Sequence, residues 1–156
     1  FKPWLAGSTG RRPPVPTALG ILVQAYNEGD KPLVIQGISV QGNDISGCSG
    51  GWYDVGAYIY AIPYTKATLK SVSVVQNTIS ARRGIYVRSE APGQVINATV
   101  VGNEITCANV DGLTSAAVTV RGALNTKVVN NTASSCTFAV TDLGEKTKIP
   151  PGHSKH

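Results

Sequence analysis

The sequence predicts an all-β fold, a right-handed parallel β-helix (a solenoid) of about five to six rungs with extended arms at both ends. A strand–turn–strand pattern recurs with one asparagine in register, and a short apolar strand recurs between those asparagines. No long stretch shows the apolar period of an amphipathic helix, so almost no helix is expected.

The asparagine turn is the most regular element of the repeat. Four segments align on Asn43, Asn77, Asn103 and Asn131, whose spacings are 34, 26 and 28 residues. Asparagine tolerates the left-handed backbone region, and its side chain bonds neighbouring backbone groups. The register therefore suits a turn at each asparagine and predicts a ladder of asparagines along the stack.

The residues around each asparagine supply the apolar face of the strands. Val74, Val100 and Val128 precede it at one position, and Ile79 and Ile105 follow it at another. A single unit cannot bury this face, whereas stacked units pair their strands in parallel and close an apolar core. An antiparallel sandwich also has short strands and glycine turns, but it gives no reason for the shared register, so the solenoid is favoured.

The two ends of the chain differ from the repeating middle. Residues 1–18 are rich in proline and predict an extended cap segment, residues 19–143 form the β-helix domain, and residues 144–156 form a basic tail that holds both histidines. A short stack has two open ends that need a cap or more chain. Since the chain also begins with Phe1 and contains no methionine, we expect a fragment or a processed product of a longer protein.

The three cysteines predict thiols rather than a metal site. Cys107 and Cys136 fall on adjacent rungs and are close enough to bridge, but free buried thiols are favoured. Cys48 lies three rungs from Cys136, about 14 Å away, which is too far for a disulfide. No spacing resembles a zinc site, so neither a metal nor a cofactor is expected.

Two further asparagines begin Asn-x-Thr triplets, the sequence that N-glycosylation requires. They are Asn97 and Asn130, and both fall inside the repeating units. This position favours a structural role over glycosylation.

The charge balance narrows the classes of partner. The net charge of +5 is carried partly by the two ends of the chain. Without a basic stripe interleaved with stacking aromatics, nucleic acid is not an expected partner, and the apolar runs are too short for membrane insertion. The positive charge suits an acidic polysaccharide, or it serves solubility alone.

The combined pattern V-x-V-x-x-N-x-I followed by G-I-x-V resembles the repeat of the pectate-lyase-like superfamily of parallel β-helices, and it covers residues 20–142. That superfamily includes polysaccharide lyases, glycoside hydrolases, epimerases and bacteriophage tailspikes. The irregular loops look most like a tailspike segment. The resemblance implies a homotrimer in a virion tail, or another extracellular protein, that binds and in some members cleaves bacterial surface polysaccharide. A lyase, a glycoside hydrolase and a structural trimerising rod without a ligand remain alternatives.

Outward positions of the recurring second strand predict a binding surface. By register Tyr58 lies beside Tyr86, while Tyr60, Arg88 and Arg121 form the neighbouring column. Aromatic faces pack on sugar C–H groups, and guanidinium groups bind carboxylates and hydroxyls. An exposed carbohydrate-binding patch is therefore expected, and a subunit contact in a trimer explains the same residues equally well.

The longest insertion predicts a second carbohydrate contact. Trp52 and Tyr53 are adjacent aromatics that follow two glycines in a loop. Such a loop suits a sugar platform, and aromatics folded back on the solenoid are the equal alternative.

Few carboxylates are available for hydrolysis, which needs two of them at a set separation. Asp54 and Glu90 are one candidate catalytic pair, expected to approach each other from adjacent loops. Asp44 and Glu104 are the other, and they share the position after the asparagine two rungs apart, about 10 Å. Surface acids at turns are common, so both pairs are weak candidates.

Overall fold

The computed structural model describes residues 18–48, 54–62, 66–91, 93–108 and 114–149, and every element longer than a turn or bend in these ranges is a β-strand or β-bridge. All strand pairs are parallel. The all-β class and the parallel pairing are thus confirmed. The strands are β1 (Leu19–Ala25), β2 (Leu33–Gln36), β3 (Ser39–Gln41), β4 (Asp44–Cys48), β5 (Val55–Ala61), β6 (Ala67–Lys70), β7 (Ser73–Val75), β8 (Thr78–Ala81), β9 (Arg83–Ser89), β10 (Val95–Ile96), β11 (Thr99–Val101), β12 (Glu104–Cys107), β13 (Ala116–Leu124), β14 (Lys127–Val129), β15 (Thr132–Ser134) and β16 (Phe138–Glu145).

The strands form three parallel sheets. Sheet A has the order β1-β5-β9-β13-β10-β6-β2, with β16 on β13; sheet B is β14-β11-β7-β3 and sheet C is β15-β12-β8-β4. We call β1, β5, β9, β13 and β16 the first arm of sheet A, and β2, β6 and β10 its second arm. The chain passes through sheets A, B and C in the same order four times, which is compatible with a β-helix.

The strand register matches the sequence alignment. Val74 pairs with Val100, which pairs with Val128, and Ile79 pairs with Ile105. All five side chains are buried in one core cluster. The predicted apolar face therefore lies between the sheets, as the repeat requires.

The predicted asparagine ladder is present. The backbone N and Nδ2 of Asn77 donate to Oδ1 of Asn103 at 3.0 and 2.9 Å, and the same two bonds join Asn43 to Asn77 and Asn103 to Asn131. Nδ2 of Asn77 also donates to the Val40 carbonyl at 3.0 Å. Asn77 and Asn103 are each 1% exposed, so the ladder satisfies polar groups that burial would otherwise leave without partners.

Left-handed backbone at the corners of the stack falls beside the ladder asparagines, not on them. One column of positive φ lies where the strands of sheet A end before sheet B, and another lies between sheets B and C. The first comprises Gly37, Ser71, Asn97, Asn125 and Lys146, and the second comprises Gly42, Gln76, Gly102 and Asn130. Each member of the second column directly precedes a ladder asparagine, which leaves the asparagine side chain directed along the stack.

Ser71 occupies a corner where glycine fits better. Its φ is 56° and it is exposed, so Ser71→Gly is expected to stabilise the fold by about 0.5 kcal/mol by removing left-handed strain. Equilibrium urea unfolding measures the change. Gly37→Ala is the matched control, because an added Cβ there meets nothing within 4 Å and its expected cost of about 1 kcal/mol comes from φ alone. A less stable Ser71→Gly protein would contradict the assignment of strain.

The cysteines correct the sequence expectation of free thiols. Cys107 and Cys136 form a disulfide with a Cα–Cα distance of 4.9 Å, because parallel stacking brings the ends of neighbouring repeats together. Cys48 is free and buried, and it is separated from Cys107 by Ala81, which pairs with both. Burial, and then the charge of Asp54, raises the pKa of the Cys48 thiol, so this thiol is held protonated.

The core column of the first arm ends on a charged residue. Val23, Ile59, Val87 and Val120 follow one another in register, and the next residue of the column is Asp142. A carboxylate at this position ends this one apolar column, whereas Val140 of the same strand still packs in the core against Val118. Parallel pairing continues past residue 143, the predicted end of the β-helix domain, to a β-bridge between Lys127 and Lys148. Residues 1–17 and 150–156, which hold nearly all of the predicted cap segment and the end of the predicted tail, lie outside the described residues.

Candidate functional site

The outward face of the first arm of sheet A brings the predicted tyrosines and arginines together. Tyr58 pairs with Tyr86, Tyr60 pairs with Arg88, and Arg88 pairs with Arg121. The two predicted columns are therefore confirmed. We call these five residues the Tyr–Arg surface.

The exposure of this surface differs from the prediction. Tyr58 and Tyr86 are only 9% and 6% exposed, and with Val55 they form an apolar cluster separate from the main core, against which Leu19 and Tyr60 pack. Their rings stack with centroids 5.3 Å apart and planes 20° apart. The expectation that both rings are exposed is wrong, because the side chains lie along the sheet and cover one another.

Arg88 holds the centre of the surface. Its Cζ lies 5.5 Å from the centroid of the Tyr60 ring and 5.9 Å from that of Tyr86, within the range of cation–π contacts. Nη1 donates to the Tyr58 hydroxyl at 3.3 Å, and Nη2 pairs with Glu90. The Arg88 and Glu90 side chains are each 25% exposed, so this group is partly accessible from outside.

The electrostatics of the surface keep its phenol neutral and its guanidinium charged. Burial raises the pKa of Tyr58, and the neighbouring charge of Arg88 only partly opposes it. Burial also acts to lower the pKa of Arg88, but its interactions with Tyr58, Tyr86 and Tyr60 together outweigh burial and leave this pKa raised. Near neutral pH the surface therefore presents a fixed positive charge above a packed aromatic layer.

Arg121 is the most accessible cation of the surface. It is exposed, and its strand neighbour Leu143 is 65% exposed. Within the described ranges no carboxylate forms an ion pair with Arg121. Its guanidinium group is thus open to an anionic or hydroxylated ligand.

The structure does not bring Asp54 and Glu90 together. Asp54 precedes β5 and is 1% exposed, and its Oδ1 accepts a bond from the Ala18 backbone N at 3.0 Å. Glu90 follows β9, whose Ser89 pairs with Ala61 at the far end of β5. The two acids therefore lie at opposite ends of paired strands, about 26 Å apart, which is too far for a hydrolytic pair.

Asp44 and Glu104 do share a column, as the sequence predicts. Each pairs with Thr78, which separates them by two strand spacings, about 10 Å. Both are exposed on sheet C, and the Tyr–Arg surface is on sheet A. Among the described residues, this pair of acids therefore lies on a different sheet from the predicted sugar contacts.

Two predicted contacts lie outside the described residues, namely Trp52 and Tyr53, so the loop platform stays a prediction. In the ranges that the structure does describe, no three His, Cys, Asp or Glu side chains gather where a metal ion would bind. The same ranges contain no helix of the length and apolarity needed to cross a bilayer.

One contact of the site was missed from the sequence, the ion pair between Arg88 and Glu90. The two residues are two positions apart at the end of a strand, a spacing that places side chains on one face, and this spacing was the available signal. Comparison of the chain with known protein families, curated proteins and solved structures finds no match in any of the three. The function is therefore inferred from the site and from the sequence repeat.

Proposed function

We propose that the chain is a right-handed parallel β-helix that binds bacterial surface polysaccharide on the Tyr–Arg surface, in the manner of a tailspike segment of the pectate-lyase-like superfamily. The four passes through three parallel sheets and the asparagine ladder support the β-helix. The observation that carries the binding role is the row formed by Tyr60, Arg88 and Arg121 on adjacent strands.

The spacing of this row suits an extended chain of sugars. Adjacent strands are about 4.8 Å apart, so the three side chains span about 10 Å in a straight line. Tyr60 offers a ring for sugar C–H groups, and Arg121 offers paired donors for carboxylates. Arg88 is bonded to Tyr58 and paired with Glu90, so it adds charge between them and holds Tyr60 in place. An acidic polysaccharide, such as one that contains uronic acids, matches this combination best.

The buried tyrosines support the row from beneath. Tyr58 bonds the guanidinium group of Arg88 and stacks with both Tyr60 and Tyr86. Side chains fixed by such packing lose little conformational entropy when a ligand binds. Tyr58 and Tyr86 are therefore positioning residues in this proposal and not sugar contacts.

Recognition without cleavage fits the described carboxylates. Glu90 is engaged by Arg88, and Asp54 is buried at the other end of the strands. Hydrolysis requires two carboxyl groups within about 10 Å across one sugar bond, and the row has no second acid at that distance among the described candidates. The disulfide supports an oxidising, extracellular setting, which a secreted protein and a virion surface both provide. The homotrimer that the resemblance implies stays a prediction.

Arg121→Gln is expected to weaken binding to an acidic polysaccharide about tenfold, because it removes one charge-assisted contact. Affinity electrophoresis of the folded chain through gels that contain purified acidic capsular polysaccharides or O-antigens measures the effect. Lys127→Gln is the matched control, because Lys127 is an exposed cation on sheet B, and it should leave the affinity unchanged.

Two results would contradict the proposal. Equal weakening by Arg121→Gln and Lys127→Gln would show that net charge and not the site retains the polysaccharide. Retention by no polysaccharide at all would favour the structural rod.

A further inference from the structure

We infer that Asn97 and Asn130 are sites of N-linked glycosylation. Asn97-Ala98-Thr99 and Asn130-Asn131-Thr132 are Asn-x-Thr triplets, and no other asparagine in the sequence begins an Asn-x-Ser or Asn-x-Thr triplet. The structure separates these two asparagines from those of the ladder, and this separation supports glycosylation over the purely structural role that the sequence favours.

Both asparagines stand at corners of the stack with the amide outside the core. Asn97 has a φ of 56° and Asn130 a φ of 53°, and both are exposed. Oδ1 of Asn97 accepts a bond from Nδ2 of Asn125 at 3.3 Å. Within the described residues neither Asn97 nor Asn130 donates a hydrogen bond through Nδ2, which is the atom that glycosylation modifies.

The ladder asparagines provide the contrast. Nδ2 of Asn77 donates to Val40 and Asn103, and Nδ2 of Asn103 donates to Val74 and Asn131. These amides are fully used inside the stack and none of them begins a triplet. Acceptor triplets thus coincide with the asparagines whose amides face solvent.

The disulfide between Cys107 and Cys136 is the second observation that supports modification. Disulfides form in secretory compartments, where oligosaccharides are transferred from a lipid diphosphate donor. In that transfer Nδ2 attacks C1 of the first sugar, and a C1–N bond replaces the C1–O bond to the diphosphate. The lipid diphosphate leaves with the bonding electron pair, and the amide proton passes to a carboxylate of the transferase.

The two glycans would border one face of the molecule. Asn97 lies at the corner before β11 and Asn130 at the corner after β14, so the glycans flank sheet B on two neighbouring strands. They would shield the half-buried outward residues Val101 and Val129 from contact with another chain. The Tyr–Arg surface lies on the first arm of sheet A and would stay open. This inference rests on a secreted setting for the chain, which is one of the two settings that the disulfide supports.

Mass spectrometry of the full chain secreted from a eukaryotic cell tests the inference. Treatment with a peptide N-glycosidase in heavy-oxygen water should remove two glycans and leave labelled aspartate at positions 97 and 130. Thr99→Val and Thr132→Val each remove one triplet but keep the asparagine and a β-branched strand residue, so each should remove one glycan.

Asn125 is the matched control, since it is exposed with a φ of 56° but begins no triplet. Lys127→Thr gives it one, and a third glycan is expected there. Secreted protein with the disulfide formed but no glycan would overturn the inference. A glycan that persists in the Thr99→Val, Thr132→Val double variant, or one acquired only at Asn125, would also overturn it.

Discussion

Asn103→Ala is expected to destabilise the fold by about 3 to 5 kcal/mol, because it removes the centre of the asparagine ladder. Oδ1 of Asn103 accepts two bonds from Asn77, and Nδ2 donates to Val74 and Asn131. Alanine leaves the Asn77 donors facing a buried site without an acceptor. Each buried polar group without a partner costs about 1 to 3 kcal/mol, so these losses dominate the small change in side-chain volume.

Equilibrium unfolding in urea measures this loss, and Asn43→Ala is the matched control. Asn43 is half-buried at the first position of the ladder, and no described asparagine donates to it. Its replacement removes the side-chain bonds to Asn77 and Gln41 but leaves no buried donor behind, so about 1 kcal/mol is expected. Similar losses in the two variants would show that burial does not set the strength of the ladder.

The ladder was predictable from sequence because one residue type performs one task in every repeat. Only an amide donates and accepts along the stack at the same position, so Asn43, Asn77, Asn103 and Asn131 could not vary without breaking a bond. The valine and isoleucine columns were predictable for a similar reason, since the core excludes polar side chains at those positions.

The positions of the left-handed corners could not be predicted from the sequence, because different residue types adopt the same positive φ there. Gly42, Gln76, Gly102 and Asn130 share a positive φ but no side-chain chemistry. All four residues are exposed, so packing in the core places no common requirement on them. A repeat that is regular in backbone can therefore be irregular in sequence wherever it faces solvent.

The burial of Tyr58 and Tyr86 could not be predicted from the sequence, for a different reason. Strand alternation correctly assigned Tyr58 and Tyr86 to the outward face. Alternation gives the direction of Cβ but not the path of a long side chain. Here the two rings stack on each other and the Tyr86 ring lies beneath Arg83 and Arg88, a packing that depends on residues from two strands.

The sequence predicted that the two cysteines are adjacent, but it did not predict that they are oxidised to a disulfide. The repeat placed Cys107 and Cys136 on adjacent rungs, and the structure joins them. Spacing alone does not distinguish two buried thiols from a bridge, because the outcome depends on the relative direction of the two Cβ atoms and on the redox compartment.

Removing this disulfide is expected to cost about 3 to 4 kcal/mol, since it closes a loop of 29 residues in the unfolded chain. The double variant Cys107→Ala, Cys136→Ala should show the loss in urea unfolding, and the wild-type chain should show it after reduction. Cys48→Ala is the control, because this thiol is buried but free, and a loss of about 1 kcal/mol is expected from the deleted sulfur.

The loss should be concentrated in the last repeat. All three residues of β15 are exposed, and β15 is the outer strand of sheet C, paired only with β12. The Thr132 amide donates to the Asn103 carbonyl at 2.9 Å, and the Glu104 amide makes the same bond to Asn77 one repeat earlier. In the reduced protein, hydrogen exchange at Thr132 should accelerate well before exchange at Glu104, because local opening of an edge strand requires less free energy than global unfolding. Equal acceleration at both amides would mean that the disulfide stabilises all the repeats together and not β15 in particular.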